Sequence, residues 1–285
     1  MLNETILGNL QSLAVNNSGV IPIQIQSQLH WGQYSISLFF ASIMTIFLLY
    51  TMFNSSVGDF KSFILMRKVK KLTGRKTLMI RHNEEGLFAS QHINGENVSL
   101  IEKVFSKLKG EDINLIIKSP GGAVFHSLYL SKMFKKYPGK IHVYVPQYSM
   151  SGGSLLALSG GMLYMNSHSC LGPVDPQVGD FFNFGSSSGW DEVIRKKSVK
   201  ASDKAFIYRG VAKKTEKSIR DHIFELTDNK ALTKLLVDGR VEHSFQIGPE
   251  LLVKHGVKVC KIPNMLGRLL SQLVSLKSKK MVMFV

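Results

Sequence analysis

The sequence predicts an α/β fold with a largely parallel sheet, preceded by one N-terminal transmembrane helix. Three observations predict it. From Lys76 onward, short apolar runs alternate with segments of helical period. Two of those runs end in glycine corners, Ser119-Pro120-Gly121-Gly122 and Ser151-Gly152-Gly153-Ser154. Ahead of them, residues 36–53 read ISLFFASIMTIFLLYTMF, without a charge.

Taken in order, residues 1–30 are a polar tail rich in Asn, Ser and Gln. Residues 31–53 have about the 20 residues a helix needs to cross a bilayer, with Trp31 and Tyr34 at the interface end. A cleavable signal peptide is not expected, because no basic region precedes the run and no small-residue cleavage site follows it. Glu4 is the single ionised side chain up to Phe53, whereas Lys61, Arg67, Lys68, Lys70, Lys71, Arg75 and Lys76 follow closely. The positive-inside rule then places the N-terminus outside and the large domain in the cytoplasm.

Residues 54–75 read as a basic connector and 76–263 as the globular domain. Strands are expected at 77–80, 113–118, 141–145, 162–165 and 257–260. Helices are expected at 99–109, 123–137 (closed by Pro138-Gly139), 153–158 and within 205–228. Residues 181–190 read as a Gly, Ser and Phe loop. In 264–285, Leu266, Leu269, Leu270 and Leu273 fall at helical spacing ahead of Lys277, Lys279 and Lys280, giving an amphipathic basic tail for a subunit contact or a membrane surface.

Net charge is +16, from 36 Lys and Arg against 20 Asp and Glu. No nucleic-acid motif accompanies it, so an anionic membrane surface is the expected partner of the charge and nucleic acid is not. Cys170 and Cys260 form neither a CxxC motif nor a disulfide framework. Both read as reduced thiols, with Cys170 the runner-up nucleophile.

The chemistry lies in the two corners. A serine hydroxyl at a strand-to-helix turn, followed by glycines, is exposed to a substrate, and nearby backbone amides can face an oxyanion. Ser151 is the preferred hydroxyl over Ser149 and Ser154, and the amides of Gly152 and Gly122 are the candidate oxyanion donors. An extended substrate is expected to pair with the backbone beside Gly121 and Gly122. The base stays open among His126, His142, His168, His222, His243, His255 and any desolvated lysine. Asp175, after a turn, reads as structural, capping a helix or fixing the loop.

The segments IIKSPGG, KIHVYVPQYSMSGGSLLALSGG and LGPVDPQVG occur in that order, followed by EKSIRDHIFEL and DGRVEHSFQIGPELLVKHGV. Together, across 76–263, they resemble the serine dehydrogenase proteinase family, membrane-associated relatives of signal peptide peptidase A and of the Clp protease proteolytic subunit. The resemblance implies a ClpP/crotonase-like spiral fold, a homo-oligomer, Ser151 as nucleophile, and peptide or unfolded protein as substrate. It implies no metal or organic cofactor. Gly172 falls where Clp subunits carry their histidine, and His168 is off register. Signal peptide peptidase relatives use a Ser-Lys dyad, and the helix EKSIRDHIFEL puts Lys217 at the lysine position. Lys213, Lys214, Lys196, Lys197, Lys200 and Lys204 remain as alternatives. The expected activity is a membrane-anchored serine endopeptidase. The alternatives are an inactive scaffold on the same fold and a crotonase-like acyl-CoA enzyme, for which no persuasive carboxylate pair is found.

Overall fold

The computed structural model describes residues 23–82, 92–238, 242–278 and 280–285, with backbone only at 23–35, 51, 54 and 55. Two compact units divide at Asn54 and Ser55. Helix α1 (Ile23–Thr73) begins in the first and ends in the second.

In the first unit, the apolar side chains of α1 from Ile36 to Phe53 are exposed, among them Leu38, Phe39, Phe40 and Leu49. Among the described residues no helix is long and apolar enough to cross a membrane. The expected span 31–53 includes the side chains of 31–35 and Thr51, which lie outside the described residues, as does the tail at 1–22.

The second unit is an α/β domain. Its sheet runs in the order β10 (Val282–Phe284), β1 (Lys76–Arg81), β2 (Ile113–Lys118), β3 (Ile141–Val145), β5 (Met162–Met165) and β9 (Val259–Lys261). β1, β2, β3, β5 and β9 are mutually parallel, and β10 closes the β1 edge antiparallel. The inner strands are continuous apolar runs because both sheet faces are covered. On one face, Ile113, Leu115 and Ile117 pack with Leu130 and Phe134 of α3 (Val124–Lys135) and Leu155 of α4 (Gly152–Leu158). On the other, Met79, Ile116 and Tyr144 pack against Met66 and Val69 of α1 and Leu266, Leu270 and Leu273 of α9 (Asn264–Ser275).

That second face revises two expectations. Residues 54–75 are not a free connector. The last turns of α1 are core, and the buried Arg81 reaches from β1 to donate to the Ser62 hydroxyl and the Leu273 carbonyl. Nor is 264–285 a detached tail, because α9 buries its leucines on this domain's own sheet and β10 extends that sheet. Lys279 lies outside the described residues.

Two smaller differences have local causes. Helix α2 (Gly95–Phe105) starts four residues earlier than expected, because the Asn94 side chain accepts from the Asn97 amide at 3.0 Å and caps it. The expected loop at 181–190 is a hairpin, β7 (Val178–Gly179) and β8 (Phe184–Gly185), running into α5 (Ser187–Lys197). Asp180 holds the turn by accepting from the Phe182 and Asn183 amides, and Ser186 caps α5. The remaining helices are α6 (Asp203–Thr227), α7 (Lys230–Val237) and α8 (Pro249–Lys254).

Candidate active site

Both glycine corners lie at the carboxyl ends of adjacent parallel strands, where open α/β sheets place their sites. The chain leaves β2 into Ser119–Gly122 and leaves β3 through β4 (Tyr148–Ser149) into Ser151. Ser119 and Ser149 form a parallel bridge, with the Met150 amide donating to the Ser119 carbonyl at 2.8 Å. The two corners are thereby stitched side by side.

Ser151 has φ 49° and ψ −123°, a backbone state that L-residues avoid. It is the sharp strand-to-helix turn that lifts a hydroxyl clear of the sheet. Ser151 is half-buried, whereas its neighbours are spent on structure. The Ser154 hydroxyl bonds the Ser149 and Gly172 carbonyls at 2.6 and 2.8 Å, and Ser149 is fully buried. Of the three serines, only Ser151 is placed for a substrate.

The glycines make the turn possible. Gly121 has φ 114°, and a Cβ there would stand 2.8 Å from the Ser151 Cβ and 3.1 Å from the Gly152 amide nitrogen. A Cβ on Gly152 would meet the Ser127 hydroxyl at 2.1 Å and the Gly122 nitrogen at 3.6 Å. The Gly122 and Gly152 amides are therefore near neighbours beside Ser151. Neither donates in the backbone network of the described residues. Two such amides beside a serine hydroxyl are what a tetrahedral oxyanion requires.

The substrate edge is narrower than expected. Ile93 pairs with Gly122 on one side, donating to the Gly121 carbonyl and accepting from the Ala123 amide. An extended peptide is left the opposite side, through the carbonyl of Gly122, while its amide faces the oxyanion position.

Sequence reasoning did not single out the imidazole that, among the described residues, a buried carboxylate orients. His243 Nδ1 lies 2.7 Å from Asp175 Oδ1. Asp175 is buried and also accepts from Gln177, while the His243 side chain is 39% exposed. The pair is brought together by an antiparallel bridge between Leu171, in β6 (Cys170–Leu171), and Ile247. Asp175 follows Leu171 by four residues and His243 precedes Ile247 by four, so the two chains converge on them. Gly172, next to that bridge, leaves only enough room for Met150, and its amide and carbonyl bond the Ser154 hydroxyl. The bridge that carries the dyad is thus fastened to the Ser151 corner. No local sequence signal joins these two residues, 68 apart in the chain, because they meet only through that bridge.

Lys217 is exposed on α6 and lines an open hollow with Asp191, Glu216, Arg220 and Asp238. The dry environment that a lysine base needs is not present around it in this chain. Lys196, Lys197, Lys200, Lys204, Lys213, Lys214 and His168 are exposed as well. Among them Lys196 pairs with Glu192 and Lys213 with Asp191. Cys170 is buried, and burial pushes its thiol up, away from the thiolate a nucleophile requires. Among the described residues, no group of three His, Cys, Asp or Glu side chains is placed to hold a metal ion.

Residues 31–285 match a protein family described as ClpP-like SDH-type serine proteinase. The chain is 28% identical over 249 residues to the uncharacterized protein MJ0137 of Methanocaldococcus jannaschii, covering 80% of this chain and 86% of that one. It is 28% identical over 239 residues to a second protein of that organism, MJ1495, covering 79% and 80%. Among solved structures, ClpP1 of Listeria monocytogenes aligns at 15% identity with a TM-score of 0.45. That alignment covers 70% of this chain and 98% of ClpP1.

Proposed function

Because the chain belongs to the ClpP-like SDH-type serine proteinase family, we propose that it is a serine endopeptidase whose nucleophile is Ser151. The observation that carries this reading is the Ser151 turn, with the unengaged amides of Gly122 and Gly152 beside it. The Ser151 hydroxyl attacks the scissile carbonyl carbon, and the two amides hold the resulting oxyanion. His243 Nε2 takes the hydroxyl proton and returns it to the leaving amine as the C–N bond breaks. Water then releases the acyl group. Asp175 fixes the imidazole by accepting from Nδ1 and stabilises it when charged. We assign the base to His243 over Lys217 because His243 is both oriented by a carboxylate and open on its other side, whereas Lys217 is neither buried nor held.

The substrate is an extended peptide or unfolded chain, bound by main-chain pairing at Gly122 and so loosely selective in sequence. Membrane anchoring through 31–53, with the domain in the cytoplasm, is supported by the uncharged run and by its exposed apolar side chains. Self-association is supported by the exposed Phe181, Phe182, Phe206, Ile207 and Val211 on the hairpin and α6.

The test is cleavage of an unfolded protein by the detergent-solubilised chain beside its Ser151→Ala variant, with fluorophosphonate labelling of Ser151 read in parallel. Hydrolysis and labelling lost together in the variant support the reading. Hydrolysis that persists in Ser151→Ala overturns it. Turnover of an acyl-CoA without peptide cleavage would favour the crotonase-like alternative, and neither activity would favour a scaffold.

A further inference from the structure

Helices α3 and α4 carry the two oxyanion amides at their leading ends: Gly122 lies two residues before α3, and Gly152 opens α4. Their relative placement therefore sets the distance between those amides. Small side chains let the helices approach closely. Ser127 and Ser131, one turn apart on α3, both face α4. Ser127 presses on Gly152 at the leading end, and Ser131 meets Ser159 and the Leu155 carbonyl at the trailing end.

The trailing end is tied by a buried polar chain that the proposed reaction does not use. His222 of α6 is 4% exposed, and its Nε2 lies 2.7 Å from the Ser131 hydroxyl oxygen. Ser131 lies 2.7 Å from the Ser159 hydroxyl oxygen, and Ser159 donates to the Leu155 carbonyl. The donor order consistent with that last bond runs from His222 Nε2–H to Ser131, from Ser131 to Ser159, and from Ser159 to Leu155. In that order Nδ1 carries no hydrogen, so it is buried without a hydrogen-bond partner among the described residues, and the exposed Glu225 carboxylate stands 3.5 Å away.

A buried hydroxyl pair needs a donor at its open end, and no water is required when an imidazole supplies it. Resting on the serine peptidase reading above, we infer that His222 is a positioning residue. Through Ser131 and Ser159 it locks α4 against α3 and so fixes the spacing of the Gly122 and Gly152 amides. An apolar side chain of similar size would keep the packing and lose the lock. Glutamine would return an N–H donor to the Nε2 position.

The experiment compares His222→Leu, His222→Gln and Ser131→Ala in the full-length chain. It reads kcat and KM on an unfolded protein, melting temperature, and hydrogen exchange in 152–158. For His222→Leu, the expected result is a fall in kcat of about 10–100-fold with KM within about threefold. Exchange in 152–158 should be faster, and Ser131→Ala should change in the same direction. His222→Gln should recover kcat to within about threefold of wild type, because the positioning bond is restored. If His222→Leu melts earlier but keeps its kcat per folded molecule, or if His222→Gln is as defective as His222→Leu, the inference is overturned. A wild-type chain that neither cleaves protein nor labels at Ser151 would instead overturn the peptidase reading. Hydrogen exchange then decides the lock by itself: faster exchange in 152–158 of His222→Leu supports it, and unchanged exchange overturns it.

Discussion

Gly152 lies so close to Ser127 that a methyl group on the glycine would stand 2.1 Å from the serine hydroxyl oxygen and 2.8 Å from its Cβ. Both residues are buried where α3 meets α4. Gly152→Ala is therefore expected to push the helices apart, destabilising the domain by about 1–3 kcal/mol. The amide of residue 152 remains but is displaced from the oxyanion position, and hydrolysis should fall by up to about 10²–10³, the effect of removing an oxyanion donor outright. The double variant Gly152→Ala/Ser127→Ala should recover part of the stability, since it removes the nearer of the two clashing atoms. Thermal melts and kcat of the three proteins check this.

The carboxylate behind His243 gives a second prediction. Asp175→Asn should preserve the fold and lower kcat by about 10²–10⁴, because the amide holds the imidazole in the wrong tautomer. His243→Ala should lose a similar amount. Lys217→Ala, on the exposed face of α6, should stay within about threefold of wild type, as surface changes away from a site do. Steady-state kinetics on one unfolded substrate separates the two bases. A full loss in Lys217→Ala alone would return the Ser-Lys dyad.

Acid stability is expected to depend on His82. It is 1% exposed with both ring nitrogens buried, and burial, only partly opposed by the Lys118 backbone, lowers its pKa from 6.5 to about 4. The unfolded chain takes up this proton first, so stability is complete above about pH 6.5 and is lost as pH falls towards 4. The integrated loss is about 3 kcal/mol. Urea unfolding between about pH 7 and 4.5 should show the slope, and His82→Phe should flatten it.

Leu270 tests whether α9 belongs to the domain. It is fully buried beside Met66, Ile116 and Tyr144. Leu270→Ala should destabilise the domain by about 2–5 kcal/mol. A helix lying on a membrane surface would leave the melting of the domain unchanged.

The parts of the fold legible in sequence are those set by local pattern. β2, β3 and β5 coincide with the expected 113–118, 141–145 and 162–165 because buried parallel strands are uninterrupted apolar runs. The Ser151 corner is legible because paired glycines directly after an apolar run mark a turn whose close backbone approach leaves no room for a Cβ. What stays hidden in the sequence depends on distant partners. The leucine spacing of α9 is visible, but not the sheet face that takes it. Asp175 and His243 are 68 residues apart and meet through one bridge between Leu171 and Ile247, which leaves no period in the chain. The hairpin at 178–185 escapes notice because its strands are two residues long and its phenylalanines are exposed to solvent. Lys217 illustrates the converse. Family position suggests it, but its exposure on α6 is set by tertiary packing that alignment does not carry.

β10 gives the domain a timetable. Its residues pair with Leu78, Met79 and Ile80, although about 200 residues separate the two strands. At a synthesis rate of about 5–20 residues per second, the outer edge of β1 is made tens of seconds before its partner leaves the ribosome. Throughout that interval a flat apolar strand has unpaired backbone groups on one side, open to any passing extended chain. The nascent protein therefore stays open to misassociation through its β1 edge even after His243, the last residue of its Ser151 site, has been made, and a holding chaperone would be useful throughout that window.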